Sequence, residues 1–318
     1  MAQPDGGRTP LLSLSNVGKR YPGVVALDGV TLDIFKNETV GLVGENGAGK
    51  STLLDILSGV RRPDVGAIMR DGTALVFDNP DDARRAGIFR VYQEQSLIGV
   101  YTVMQNLFLG AEHHFTRFGL VDFRRMRAAA AAILDDLGID IDPQVKVSQL
   151  NFGTRQLIEI ARMVALATYA QASHPLVLLD EPTSSLSRND LDRFWSIVDK
   201  LKSQYKASIV FISHALEEVI RASDRLIVLK DGRVVQSCPP DTDKDTLHKL
   251  MVGRDRAADF YATALQGEER GPAVLRISRL SGRRFTDTDL TVREQEIVGI
   301  GGLVQSGKTE LGLAIFGA

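Results

Sequence analysis

The chain has one cysteine, Cys238, and one tryptophan, Trp195, among 318 residues. A lone thiol forms no internal disulfide, so the sequence reads as that of a protein from a reducing compartment. Long hydrophobic runs are missing as well. A bilayer-spanning helix needs about 20 apolar residues, and the longest candidates, Pro175–Leu179 and Ser208–Ile212, read as buried strands. Met1–Pro10 has no apolar core and does not read as a signal peptide. Any membrane association is therefore expected to come through a partner. Excess charge is the third absence. With 38 basic and 40 acidic side chains the formal charge is −2, which supplies no global electrostatic reason to bind nucleic acid, and none is expected as a partner. What remains is ordinary for a globular protein, at 44% hydrophobic and 25% charged residues, and long enough for one large α/β domain and part of another.

Residues 11–18 and 30–35 alternate apolar and polar residues and read as strands joined through Tyr21-Pro22-Gly23. Residues 40–44 form a short apolar strand running into a glycine-rich loop, after which Leu53, Leu54, Ile56 and Leu57 keep helical spacing. The stretch Asn79–Gly87 has a capping asparagine, Pro80 at the first helical position and Asp81 and Asp82 in the first turn. Arg84 and Arg85 lie near its end, and it reads as a compact helix. Further helices are expected at 124–137, ended by Gly138, and at 157–167. From Pro175 onward the order is strand, helix (Asn189–Leu201), strand (Ser208–Ile212), helix (Leu216–Ala222), the alternation of a mainly parallel sheet. After a charged stretch the pattern begins again. Val274–Ile277 echoes Leu11–Leu14, and Ile297–Gly302 echoes the strand before the first glycine loop. The organisation is thus a first domain at 11–253, a linker at 254–272, and the start of a second copy at 273–318.

Gly44-Glu45-Asn46-Gly47-Ala48-Gly49-Lys50-Ser51 fits the phosphate-loop pattern G-x-x-x-x-G-K-[ST], in the strand–loop–helix setting that the pattern requires. Glycines let successive backbone N–H groups face phosphate oxygens, and the following helix adds the positive end of its dipole. Lys50 is expected to reach the β- and γ-phosphates and Ser51 to offer a hydroxyl to Mg²⁺. The apolar run Pro175–Leu179 ends in Asp180 and Glu181. A carboxylate at the C-terminal edge of a buried strand suits a Mg²⁺ partner, and Glu181 is placed to accept a proton from water.

Together with Phe211-Ile212-Ser213-His214, these segments resemble an ABC ATPase. The runs Glu45–Thr52, Tyr92-Gln93-Glu94, Leu216-Glu217-Glu218, Asp224-Arg225, Val228–Gly232 and Leu250–Arg254 narrow the resemblance to the tandem ATPases of bacterial simple-sugar importers, over nearly all of residues 11–318. The resemblance implies a P-loop NTPase of ABC type. Its parallel α/β core would carry an N-terminal antiparallel β subdomain and an inserted α-helical subdomain at roughly 95–160. It implies an ATPase using ATP and Mg²⁺, cytoplasmic and peripheral on the inner face of the membrane. The implied partners are transmembrane permease subunits, a periplasmic solute-binding protein, and a second ATPase domain from its own other half or another copy. By the same resemblance Tyr21 stacks on adenine, Thr52 counts among the ATP-binding residues, and Gln93 touches Mg²⁺ or the attacking water. His214 then contacts the γ-phosphate.

Two segments depart from that family. Where it shows Leu-Ser-Gly-Gly-Gln, this chain has Leu150-Asn151-Phe152-Gly153-Thr154. Asn151 can still cap a helix and Gly153 is kept, while Phe152 brings bulk to the place where the opposite domain's phosphate would approach. Ser187 replaces a common aspartate. The second loop, Gly302-Leu303-Val304-Gln305-Ser306-Gly307-Lys308-Thr309, is a full phosphate-loop match, with Gln305 where a loop glycine usually lies. No metal aspartate, catalytic glutamate or signature segment follows it here, so it is read as no working site by itself. His113-His114 is discounted as a metal site because adjacent imidazoles are expected to point apart and a third ligand is missing. Trp195 is expected in the core, and Arg124, Arg125 and Arg127 on a solvated helix face. The alternatives to sugar import are a soluble ABC ATPase of translation or DNA repair, and a truncated nucleotide-binding module without turnover.

Overall fold

The computed structural model describes residues 9–93, 95–184, 186–252, 271–302 and 306–317. The readings of Glu94, Gly253-Arg254, most of the linker and Leu303–Gln305 fall outside these residues. The chain divides into two units, Met1–Asp255 and Arg256–Ala318.

In the first unit, the strands that read as continuous apolar runs are the middle of a parallel sheet. β3 (Thr39–Val43), β9 (Leu176–Asp180) and β10 (Ser208–Ile212) are buried at every position, as strands covered on both faces must be. With β6 (Ile88–Val91), β11 (Arg225–Lys230) and β12 (Arg233–Cys238) they make a six-stranded sheet of order β12-β11-β3-β10-β9-β6, parallel except for β12. A second, antiparallel sheet of order β2-β1-β4-β5 is built from β1 (Pro10–Tyr21), β2 (Val24–Phe35), β4 (Val65–Arg70) and β5 (Thr73–Leu75). Its first hairpin turns at Pro22-Gly23 as expected, and each strand is longer than the alternation indicated. The helix α1 (Lys50–Leu57) buries Leu53, Leu54, Ile56 and Leu57 in the core shared with this sheet. Burying each such side chain stabilises by about 1.5–3 kcal/mol.

The inserted segment is mostly helical. It holds α3 (Val103–Leu107), a tiny hairpin of β7 (Thr116–Arg117) and β8 (Leu120–Val121), α4 (Phe123–Leu137) and α5 (Phe152–Tyr169). Asn79 caps α2 (Pro80–Arg85) as read, its Oδ1 accepting from the N–H groups of Asp81 and Asp82. Gly138 ends α4 in the left-handed conformation. Trp195, on α6 (Arg188–Ser203), is buried against Phe194 and Phe211. Arg124, Arg125 and Arg127 are exposed. The expectation that His113 and His114 point apart is wrong: in the short 3-10 turn Glu112–Phe115 their rings lie 4.0 Å apart, and His114 leans on Tyr169. The remaining helices are α7 (Leu216–Ala222) and α8 (Lys244–Val252).

Among its described residues the second unit holds an antiparallel hairpin, β13 (Ala273–Gly282) with β14 (Phe285–Arg293), and a helix, α9 (Lys308–Phe316). Residues 297–302, likened above to the strand before the first loop, form no strand. A short apolar strand persists when flanking strands pair with it and bury both faces, and the described residues of this unit supply no such neighbours.

Candidate nucleotide site

β3 delivers the chain to the glycine loop beside β11. A side chain at Gly44 would overlap the backbone oxygen of Leu229, so only glycine lets the loop leave the sheet there. Gly49 adopts φ 103°, a left-handed value that L side chains resist, and an added Cβ would lie 2.5 Å from Ala26 O. Lys50 folds back over the loop, its Nζ donating to Gly44 O at 2.7 Å and Glu45 O at 3.0 Å. No side chain caps the start of α1, which leaves its first N–H groups for a ligand. Burial pushes the Lys50 amine below its ordinary pKa, and the nearby Glu181 and Asp180 carboxylates act against that shift.

β9 ends at Asp180, and Glu181 turns sharply at φ 51°, an uncommon conformation for a non-glycine residue. Its N–H still donates to Ile212 O at 2.9 Å, so the β9–β10 ladder holds the bend in place. The Glu181 carboxylate receives Gln93 Nε2 at 3.1 Å on Oε2 and lies 2.6 Å from His214 Nε2 through Oε1. Gln93 follows β6 and His214 follows β10, so three strand ends of one sheet meet at this carboxylate. Behind it Glu218 of α7 accepts from Ser213 Oγ at 2.9 Å and is bonded to the Thr183 hydroxyl, tying the loop after β9 to the loop after β10. That brace was missed as a functional element in the sequence, where Glu218 carried meaning only by resemblance.

Tyr21 ends β1, half-buried, with Lys19 Nζ 5.9 Å from its ring centroid; its turn leads into β2, whose Ala26 closes on Gly49. Asn151 caps α5 as expected, its Oδ1 accepting from Thr154 N at 2.8 Å. Phe152 is 48% exposed, and Gly153 packs so tightly on Asp190 that a Cβ would overlap its carboxylate. Among the described residues no hydrogen bond, ion pair or ring contact joins Asn151–Thr154 to Lys50, Glu181 or His214. The segment after Gln93 is fastened to α5 instead: Gln95 Nε2 donates to Phe152 O at 3.0 Å, and Ser96 N donates to Glu159 Oε1 at 2.5 Å. Burial pushes the Glu159 pKa up against the hydrogen bonds it accepts from Ser96. A cavity of about 130 Å³ lies beside this latch, lined in part by Arg84, Tyr92, Glu159 and Arg162.

For a divalent cation the donors that fit are the Ser51 hydroxyl and the Asp180 carboxylate, hard oxygen ligands of the kind Mg²⁺ prefers. Ser51 Oγ makes no hydrogen bond among the described residues, and Asp180 spends only Oδ2, on Arg90 Nη2 at 2.8 Å. Arg90 is the other residue that sequence reading passed over. An arginine inside the strand Ile88-Phe89-Arg90-Val91 was itself the signal, since a buried cation requires a buried partner.

The glycine loop leaving β3 in the middle of a parallel sheet, with carboxylates at the end of β9, is the architecture of a P-loop NTPase fold. Residues 27–184 match the family model described as ABC transporter. The chain is 43% identical over 310 residues to the ribose import ATP-binding protein RbsA 1 of Rubrobacter xylanophilus, covering 97% of this chain and 60% of that protein. It is 39% identical over 309 residues to the ribose import ATP-binding protein RbsA of Corynebacterium glutamicum, covering 97% and 57%. Among solved structures it is similar to a dimeric ATP-binding cassette in a post-hydrolysis state bound to ADP and Pi. That match has 28% identity and a TM-score of 0.61, over 73% of this chain and 100% of that one. It also shares its fold with a nucleotide-free cassette from an ABC transporter, at 22% identity and a TM-score of 0.64, over 79% and 98%. Residues 27–184 thus carry an ABC transporter domain, and nearly the whole chain is similar to ribose import ATP-binding proteins. It spans about 60% of the length of the curated relatives it matches. No described helix is long and apolar enough to cross a membrane.

Proposed function

We propose that this chain binds and hydrolyses ATP to energise the import of a simple sugar, or a similar small solute, through a membrane ABC transporter. The observation that carries the reading is the meeting of Gln93, Glu181 and His214 at one carboxylate, with Lys50 close enough to feel its charge. In this reading Lys50 and the backbone N–H groups of Gly44–Thr52 hold the phosphates, and Tyr21 stacks on the adenine. Ser51 and Asp180, joined by Gln93 once it leaves Glu181, would hold Mg²⁺. When bound, Mg²⁺ neutralises charge on the β- and γ-phosphates. Glu181 exchanges its hydrogen bonds to Gln93 and His214 for one to a water, which it orients and deprotonates. His214, freed from Glu181, steadies the transferred phosphoryl group.

Asn151–Thr154 would act on the nucleotide of a second ATPase domain, since no hydrogen bond, ion pair or ring contact among the described residues ties them to their own domain's loop. Residues 11–253 form the first domain in this reading, 254–272 a linker, and 273–318 the start of a second. Permease subunits and a periplasmic solute-binding protein complete the system, which puts the chain on the cytoplasmic face of the membrane. The names of the relatives, ribose import proteins, support the sugar class.

Glu181→Gln tests the reading. ATP binding is expected to persist while turnover falls by about 10²–10⁴-fold, the worth of a positioned general base. Hydrolysis at the native rate would contradict it. The exposed Phe152 favours one competing reading, a nucleotide-binding module without turnover, and the same assay on the native chain decides between them.

A further inference from the structure

Arg90 sits near the end of the edge strand β6 with its side chain 6% exposed. Its guanidinium forks between two carboxylates on different elements. Nη1 donates to Asp55 Oδ1 at 2.6 Å, and Nη2 donates to Asp180 Oδ2 at 2.8 Å. Nη1 also reaches Ser58 Oγ at 3.3 Å, and the Tyr92 ring lies 4.7 Å from the guanidinium carbon. Asp55 and Ser58 belong to the end of α1, the helix that begins with Lys50 and Ser51. One buried cation therefore ties the phosphate-loop helix to the strand end carrying the metal carboxylate.

An arginine does not give up its proton in a protein, so its charge here is permanent. Beside Asp180 it offsets the negative charge that a divalent cation would seek, in surroundings where charges are poorly screened. Asp55 supplies the counterweight: Arg90 and Asp55 together are neutral, and Asp180 keeps its charge for a ligand. Take away the Asp55 charge, and Arg90 is left facing Asp180 alone.

We propose that Asp55 is a positioning residue that tunes the divalent-cation affinity of the ATP site by sharing Arg90 with Asp180. The proposal rests on the reading of Asp180 as a metal carboxylate, and the test separates the two. Binding of a fluorescent ATP analogue to the purified full chain is titrated with Mg²⁺, and repeated in EDTA, for the native chain, Asp55→Asn, Asp55→Glu and Asp180→Asn. Asp55→Asn keeps an acceptor for Arg90 and a nearly equal volume. It is expected to raise the Mg²⁺ midpoint by on the order of three- to ten-fold, with analogue affinity in EDTA changed less than about two-fold. Asp55→Glu restores the charge and is expected to bring the midpoint back toward the native value. An unchanged midpoint in Asp55→Asn, beside a clear shift in Asp180→Asn, would overturn the proposal and leave the metal reading standing. Equal losses with and without Mg²⁺ would also overturn it, since they mark a merely structural role. An unchanged midpoint in Asp180→Asn would instead overturn the metal reading beneath it. Should Asp55→Asn fail to fold, Asp55→Glu still decides, because a midpoint displaced several-fold with the charge kept would contradict charge sharing.

Discussion

The described ends of the two glycine loops of this chain are nearly alike, and their surroundings are not. In the first, Gly49 stands at φ 103° and Lys50 Nζ closes on Gly44 O at 2.7 Å. In the second, Gly307 stands at φ 87° and Lys308 Nζ closes on Gly302 O at 2.8 Å. Each left-handed glycine is also backed by a hairpin oxygen, Ala26 O in one and Arg284 O in the other. The surroundings then diverge. β3 is buried at every position, whereas Ile297, before the second loop, is fully exposed. α1 buries four apolar side chains, and α9 buries only Leu311. The shape of the loop's helix end is thus a local property of glycine, lysine and a helix start. A site is a property of the sheet, because only the sheet brings the ends of β6, β9 and β10 to the loop.

That contrast can be broken most severely at the first glycine of each loop. Gly44→Ala sets a methyl group into the Leu229 carbonyl, which belongs to a central strand and cannot yield. A loss of about 2–3 kcal/mol in urea denaturation is expected. Among the described residues, Gly302→Ala closes most tightly on the Ser306 hydroxyl, which can rotate away, and should cost less than about 0.5 kcal/mol. Equal losses would mean that both loops are equally built into a sheet.

A smaller effect is expected where the first unit would meet a second domain. Phe152→Gly removes an exposed ring from the start of α5 and should raise ATP turnover several-fold at high protein concentration, where copies can pair. An unchanged rate would show that the ring does not obstruct a neighbouring phosphate.

The smallest effect concerns the latch between Ser96 and α5. Because burial raises the Glu159 pKa in the folded protein, the native state holds that proton more tightly than the unfolded chain. Its contribution to stability is full below the ordinary glutamate value of 4.5 and is lost as pH rises through the higher folded value. Thermal unfolding followed between pH 4 and 8 (~1 unit steps suffice) should show that loss in the native chain. Glu159→Gln should lack it.

How much of this was legible beforehand follows from how local each feature is. The loop Gly44–Ser51, the strand ends at Asp180 and His214, and the caps Asn79 and Asn151 depend on neighbours in sequence, and all can be read from the chain. β4, β5 and β12 could not be: Val65-Gly66-Ala67 is exposed, and the alternation of β12 is blurred, so the apolar period that marks a strand is weak there. The partners of Arg90 were also illegible. They lie 35 and 90 residues away, and in sequence Arg90 appears only as a charge interrupting a strand. Ile297–Gly302 erred the other way, since it has strand residues without strand neighbours.

Steady-state ATP hydrolysis by Lys50→Ala and Lys308→Ala, measured side by side with the native chain, tests the central claim most directly. If the sheet makes the site, Lys50→Ala abolishes turnover and Lys308→Ala leaves the rate within about two-fold of native. Turnover that survives Lys50→Ala, or falls equally in both variants, would contradict the account.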